Sequence, residues 1–324
     1  MQMDVFLTSP WIPAEWIRAH GLQPRGIWSA ETFQHGPWPL SAGVCAFAEA
    51  AVRFAEARTN SAVIFSTACD QLRRGFDTAI LRGQSRAFLF NLPATWQTAA
   101  ATQMFRSELE RLGQFLLAIG GRAPSPEVLR QDLLQSSRTR KRLLESASAS
   151  SPRGFAEAVA RFHWDGAFSP LQPAAPTNHI PLALVGGPFL APHWKLLDEI
   201  EAAGGRVALN ATETVECSLS PTFEFEAGAN HPFDVLVHGY WDNIIGVFQR
   251  PNTRLYSWLK PRLASRHVRG IVLWHFTGCD LWRAEAQTFR ETFGLPVLLL
   301  EASGEPGAAP REINRLQAFV ETLR

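Results

Sequence analysis

The chain is poor in cysteine, in lysine and in net charge, and each scarcity removes a class of protein. Four cysteines in 324 residues, with no Cys-x-x-Cys pair among them, leave no disulfide framework, no zinc ribbon and no thioredoxin-type redox motif. The formal net charge is +1, from 31 Lys+Arg against 30 Asp+Glu. Nucleic-acid binding needs a basic excess gathered on one face and is not expected. No run of about twenty apolar residues occurs, so no segment is expected to span a bilayer. Residues 1–11 hold Asp4 and Pro10 and lack the basic lead of a secretory signal, which makes a cytoplasmic location the expectation. Only Lys141, Lys195 and Lys260 are lysines. Coding bias toward arginine is the plain explanation, and planar phosphate recognition the functional one.

What is present is apolar content of 46% against 19% charged residues, enough for two compact α/β units. Strand-like runs at residues 4–7, 62–65 and 87–91 alternate with helical spacing at 13–20, 44–57 and 71–81. A break marked by Gly36, Pro37 and Pro39 precedes the second helix. Residues 95–120 and 129–144 keep helical periodicity and form a helical insert. The SASASS run at 146–151 is a surface turn, and four prolines between 166 and 181 mark a linker. Beyond it, strands at 182–185, 206–209, 270–276 and 295–300 alternate with helices at 194–203, 255–266, 281–293 and 312–323. Pro261 is expected early in a turn or at a kink. The division is therefore an N-terminal α/β unit at 1–98, a helical insert at 99–165, a linker at 166–181 and a C-terminal α/β unit at 182–324, with two open, mainly parallel sheets.

One pattern occurs in both units. VIFSTACDQLRRGFD at 63–77 and VLWHFTGCDLWRAEA at 272–286 both run strand, small residues, Cys-Asp, helix. Each cysteine thus follows a strand's carboxyl end, where open α/β sheets collect ligands. Asp70 and Asp280 are the expected N-caps. Cys69 and Cys279 would face the positive ends of helix dipoles, which lowers a thiol pKa. Cys45, near the start of its own helix, could add a third sulfur. Three thiolates from separate turns suit iron–sulfur ligation or zinc. A [4Fe-4S] cube held by three cysteines leaves one iron open to substrate or water. The plain alternative is small buried hydrophobes at sheet ends.

The same residues resemble the iron–sulfur subunits of the 2-hydroxyacyl-CoA dehydratase and benzoyl-CoA reductase family, in the manner of the 2-hydroxyglutaryl-CoA dehydratase D component. The matching pieces are SPWIPAEWIRAHGLQP, GVCAFAEA around Cys45, FSTACDQLRRGFD around Cys69, ALVGGPF with DEIEAAGGRV, IVLWHFTGCD, and LPVLLLEASG with NRLQAFVETL. The likeness is weakest at about 100–180 and 210–250. It implies two Rossmann-like sheets with the cluster in the crevice between them. It also implies a [4Fe-4S] cluster on Cys45, Cys69 and Cys279, and a dimer with a homologous second subunit. The implied partners are an acyl-CoA substrate and an ATP-hydrolysing activator that injects one electron. The implied reaction is loss of water from a 2-hydroxyacyl-CoA through a ketyl radical, giving a 2-enoyl-CoA. A ring-reducing or double-cubane reductase subunit, and a non-catalytic relay or scaffold, are the alternatives; a structural zinc on the same thiolates is a weaker one. The chain is shorter than many relatives, and residues 300–310 lack the fuller acidic and Gly-Gln pattern before the last helix.

Other residues carry paired readings. Glu49, one turn after Cys45, is either a base near the open iron or a solvated helix-face carboxylate. His275 is either a proton donor or a core histidine bonded to backbone. Gly186 and Gly187 could admit a CoA phosphate to their amides, or form a plain tight turn, since the GxGxxG spacing is absent. Cys217 reads as packing. The basic run at 138–142 could steer a phosphate but reads better as an exposed helical face. Most of the eleven tryptophans belong to core and interface, with one or two shielding a cluster from water.

Overall fold

The computed structural model describes residues 2–29, 44–174, 178–225, 231–302 and 309–324. The Gly36–Pro39 break, the middle of the proline-rich linker and most of the stretch from Gly304 to Pro310 lie outside the described residues. The first half contains β1 (Asp4–Leu7), α1 (Ala14–Ala19), β2 (Gln23–Gly26), α2 (Ala46–Glu56), β3 (Ala62–Ser66), α3 (Asp70–Leu81) and β4 (Ala87–Phe90). Three helices follow, α4 (Ala99–Ala118), α5 (Pro126–Ser146) and α6 (Pro152–Asp165). The second half contains β5 (Ile180–Gly186), α7 (Lys195–Ala202), β6 (Gly205–Thr212), α8 (Pro232–Trp241), α9 (Thr253–Ser265), β7 (Gly270–Phe276), α10 (Asp280–Phe293), β8 (Val297–Ala302) and α11 (Pro310–Thr322).

Both sheets have four parallel strands in the same order. The first runs β2-β1-β3-β4 and the second β6-β5-β7-β8. In each, the chain moves outward one way, returns, and continues the other way, so the order reverses beside β3 in one half and β7 in the other. Every residue of β3 and of β7 is buried, as a central parallel strand covered on both faces requires. The carboxyl ends of these two strands are the switch points at which such sheets open a crevice.

Two elements were not legible in the sequence. Edge strand β2 reads Gln-Pro-Arg-Gly, a poor strand by propensity. An edge tolerates Pro24, and Gly26 is needed because a Cβ there would lie 2.5 Å from the Trp28 ring. Helix α8 falls in the weakly patterned stretch and is buried over most of its surface, so it lacks an amphipathic signature. Pro261 lies inside α9 rather than at its start. Only about one turn follows it, so a single lost backbone bond is tolerated.

A buried ionic network ties the halves together through the helical region. Glu15 of α1 is fully buried and meets Arg140 Nη1 of α5 at 2.8 Å. Tyr240 of α8 donates to the other Glu15 oxygen at 2.6 Å, and Arg18 Nε donates to Asp132 at 2.9 Å. Arg140 is thus 4% exposed, which corrects the reading of the basic run as a wholly exposed face. Arg138, Lys141 and Arg142 do face solvent. Burial alone would raise the Glu15 pKa, but Arg140 and Arg18 hold it down to about 2.

Candidate functional site

Cys45, Cys69 and Cys279 all line one cavity of about 130 Å³ between the two sheets. Each is the N-cap of a helix: Cys45 of α2, Cys69 of α3 and Cys279 of α10. Asp70 and Asp280 therefore do not cap; each is the first residue of its helix. The chain turns one residue earlier than the Asp-capping pattern suggests, and at Cys45 and Cys69 the thiol takes the place of the usual oxygen. The Ala48 amide donates to Cys45 Sγ at 3.5 Å and the Leu72 amide to Cys69 Sγ at 3.4 Å. Cys279 heads α10 without a side-chain capping hydrogen bond. Three helix N-termini thus carry the three sulfurs, and two of them direct amides onto their own.

Their convergence is fixed by contacts between distant segments. The Cys45 N–H donates to Gln71 Oε1 at 2.9 Å, which binds the Cys45 turn to α3 just beyond Cys69. Gly278, at φ +82°, makes the turn into α10, and a Cβ there would lie 4.0 Å from that of Cys45. Phe47 and Phe276 stack across the cleft with ring centroids 6.2 Å apart.

The sequence suggested lowered thiol pKa values; the structure reverses the sign. Burial raises Cys45, drives Cys69 far above the usual thiol range, and pushes Cys279 up to about 12. Cys45, Cys279 and Glu213 add like-charge repulsion at Cys69. Desolvation of three neighbouring thiols outweighs the helix amides, whose effect fades within a turn. Without a cation to compensate, these sulfurs hold their protons. Among the described residues no three His, Cys, Asp or Glu side chains are grouped so as to hold a single metal ion.

Glu213 is the residue that sequence reading missed. It follows β6 directly, lines the same cavity, and accepts a hydrogen bond from Trp282 Nε1 at 2.7 Å. Burial raises its pKa to about 7 against the pull of the Trp282 indole. The signal available was position: an acidic residue just past a strand's carboxyl end, on the sheet edge that also carries Cys279 and faces Cys69 across the cavity. It lay in the stretch where periodicity was weakest.

The other candidates lie elsewhere. Glu49 is buried and bound to Arg53 Nε at 2.7 Å; it is absent from the cavity wall and is not the solvated carboxylate of the plain reading either. His275 is buried on β7 with Nδ1 3.0 Å from the Phe276 carbonyl, also off the wall. Gly186 and Gly187 form no phosphate cradle. The Gly187 N–H donates to the Trp274 carbonyl at 3.1 Å, and Gly186 is paired to both β6 and β7. These glycines serve packing: a Cβ on Gly186 (φ +152°) would collide with the Trp274 carbonyl, and one on Gly187 would touch Trp282. Cys217 is fully buried with its thiol 3.3 Å from the Ala211 carbonyl, outside the cavity. Of the described tryptophans, Trp282 is the one on the cavity wall.

No helix among the described residues is long and apolar enough to cross a membrane. A search of curated proteins finds no match. Among solved structures, the chain is similar to the SBP FpvC from Pseudomonas aeruginosa in complex with Mn2+. That match has 10% identity and a TM-score of 0.25 over 100% of this chain and 98% of that one. So loose a likeness bears on neither fold detail nor function. The family model described as 2-hydroxyglutaryl-CoA dehydratase, D-component, matches residues 11–323. With nearly the whole length matched, the chain belongs to the 2-hydroxyglutaryl-CoA dehydratase D-component family.

Proposed function

We propose that the chain is the [4Fe-4S]-bearing subunit of a 2-hydroxyacyl-CoA dehydratase, with Cys45, Cys69 and Cys279 as the cluster ligands. The observation that carries this is the meeting of three thiols, from three separate helix N-termini, in one small cavity. The donor set fits the group. In a cube the protein thiolates bind different irons, which suits sulfurs distributed around a wall better than ligands gathered on one ion. Backbone amides stabilise the anionic sulfurs, and the iron charge offsets the desolvation that otherwise keeps the thiols protonated. When bound, such a cluster supplies an iron corner, free of protein sulfur, as a Lewis acid toward a thioester carbonyl or a hydroxyl.

The chain's own residues exclude water and position the ligand. Phe47, Phe276 and Trp282 wall the cavity with aromatic surface. A volume of about 130 Å³ is well below the several hundred Å³ of a pocket that engulfs a drug-sized ligand. Only the acyl end of an acyl-CoA enters, and the nucleotide stays outside. The reaction is loss of water from a 2-hydroxyacyl-CoA to a 2-enoyl-CoA, after one electron arrives from an ATP-hydrolysing activator. A homologous second subunit completes the enzyme, as the family's designation of this chain as one component supports.

Anaerobic purification tests the reading. Brown protein with about four irons per chain is expected, Cys69→Ser removes the iron, and Cys217→Ser retains it. Colourless protein carrying one zinc overturns the proposal. A cluster whose spectrum ignores every acyl-CoA offered assigns the chain to electron relay.

A further inference from the structure

We propose that Glu213 is the residue that recognises the substrate's 2-hydroxyl group, held in place for that task by Trp282. The proposal rests on the dehydratase reading above and names the group on this chain that distinguishes a hydroxyacyl from a plain acyl thioester. Among the described residues three carboxylates line the cavity, and two of them are solvent-exposed. Asp70 is 63% exposed in its side chain and paired with Arg74 Nε at 2.9 Å. Asp280 is exposed at the start of α10. Glu213 is partly buried, and one of its oxygens is fixed by the Trp282 indole. Its other oxygen has no hydrogen-bond partner among the described residues.

Other polar atoms of the wall already hold protein partners, and the Gln71 amide N–H and the Ser9 O–H remain as donors. Thr8 Oγ1 donates to the Ile64 carbonyl at 3.1 Å, Ser9 Oγ accepts from the Trp11 amide at 3.3 Å, and Gln71 Oε1 accepts from Cys45. That oxygen, open to the cavity, is free to take a ligand's hydroxyl. An alcohol pairs with it in either protonation state, donating to a carboxylate or accepting from a carboxyl. Trp282 also sets the geometry relative to the sulfurs. It stands three residues after Cys279 in the first turn of α10 and its indole N–H holds Glu213, so one helix start carries both the third thiol and the residue that holds the carboxyl.

The test is binding discrimination measured on anaerobically purified protein by calorimetry. It compares 2-hydroxyglutaryl-CoA with glutaryl-CoA, and 2-hydroxybutyryl-CoA with butyryl-CoA. The wild type is expected to favour the hydroxylated member of at least one pair by on the order of tenfold, the effect of one hydrogen bond to a charged or strongly polar group. Glu213→Ala abolishes the preference, Glu213→Gln, which keeps an acceptor for the indole, restores part of it, and Trp282→Phe weakens it with the carboxyl still present. Iron content and thermal unfolding of the Gln variant match the wild type. A wild type without preference, or a Glu213→Ala protein that keeps the full preference, overturns the inference while leaving the cluster reading intact. Should Glu213→Ala fail to fold, undiminished preference in both Trp282→Phe and Glu213→Gln overturns it equally. Wild-type protein that binds neither iron nor acyl-CoA overturns both readings.

Discussion

Replacing Arg140 with methionine should unfold the protein readily and reverse part of its pH dependence. Arg140 neutralises Glu15, whose side chain is fully buried, in a network that spans α1, α5 and α8 and so holds the two halves that bring the sulfurs together. In the wild type the Glu15 pKa falls from its ordinary 4.5 to about 2. That displacement corresponds to about 3 kcal/mol of stability at neutral pH. Because the folded value is the depressed one, this contribution is complete above pH 4.5 and disappears as the pH falls toward 2. Removing Arg140 leaves a buried carboxylate with only Tyr240 at 2.6 Å and Arg18 at 3.7 Å. A buried pair broken in this way costs about 3–5 kcal/mol. Burial, no longer opposed by Arg140, then raises the folded Glu15 pKa, so the variant should lose stability as the pH rises above 4.5, where the wild-type contribution is already complete, and should lack the wild-type gain between about 2 and 4.5. Urea unfolding from acidic to neutral pH reads both effects. Pairing Arg140→Met with Glu15→Met should recover most of the loss, since the cost lies in the uncompensated charge. A single variant as stable as wild type, with the wild-type slope against pH, would refute the account of the network.

Gly186→Ala should give insoluble or unfolded protein, at a cost of about 3 kcal/mol or more, because its Cβ would meet the Trp274 carbonyl; a soluble variant with wild-type melting contradicts the packing role. Gly187→Ala should leave CoA affinity unchanged, as its amide is already bonded within the protein, and loss of affinity for free CoA in calorimetry would revive the phosphate reading. Glu49→Gln should weaken the Arg53 pair and lower thermal stability by about 1–3 kcal/mol without changing iron content. Iron loss from that variant would place Glu49 at the cluster.

The strands and helices were legible because their signals are local. Runs such as Val63–Phe65 and Ile271–Trp274 are apolar throughout, and only a parallel strand covered on both faces uses such a run at that length. The Cys-Asp repeat likewise placed two sulfurs at strand ends before helices. Elements whose stability is tertiary escaped detection: β2 exists because β1 offers an edge and Trp28 fills the space above Gly26, and α8 because most of its surface is enclosed. Which residue caps each helix was also out of reach, since Cys and Asp differ there by one position of backbone geometry.

Order along the chain determined that two similar α/β units would each present a cysteine at a sheet's carboxyl edge. Only the folded structure decided that Cys45 joins them, through Gln71 and Gly278, and that Glu213 stands beside them while Glu49 and His275 do not. The sign of the thiol shifts belonged to the structure as well. A helix dipole is carried by the local sequence, whereas desolvation depends on every segment packed around the sulfur, and in this cavity the second effect is the larger.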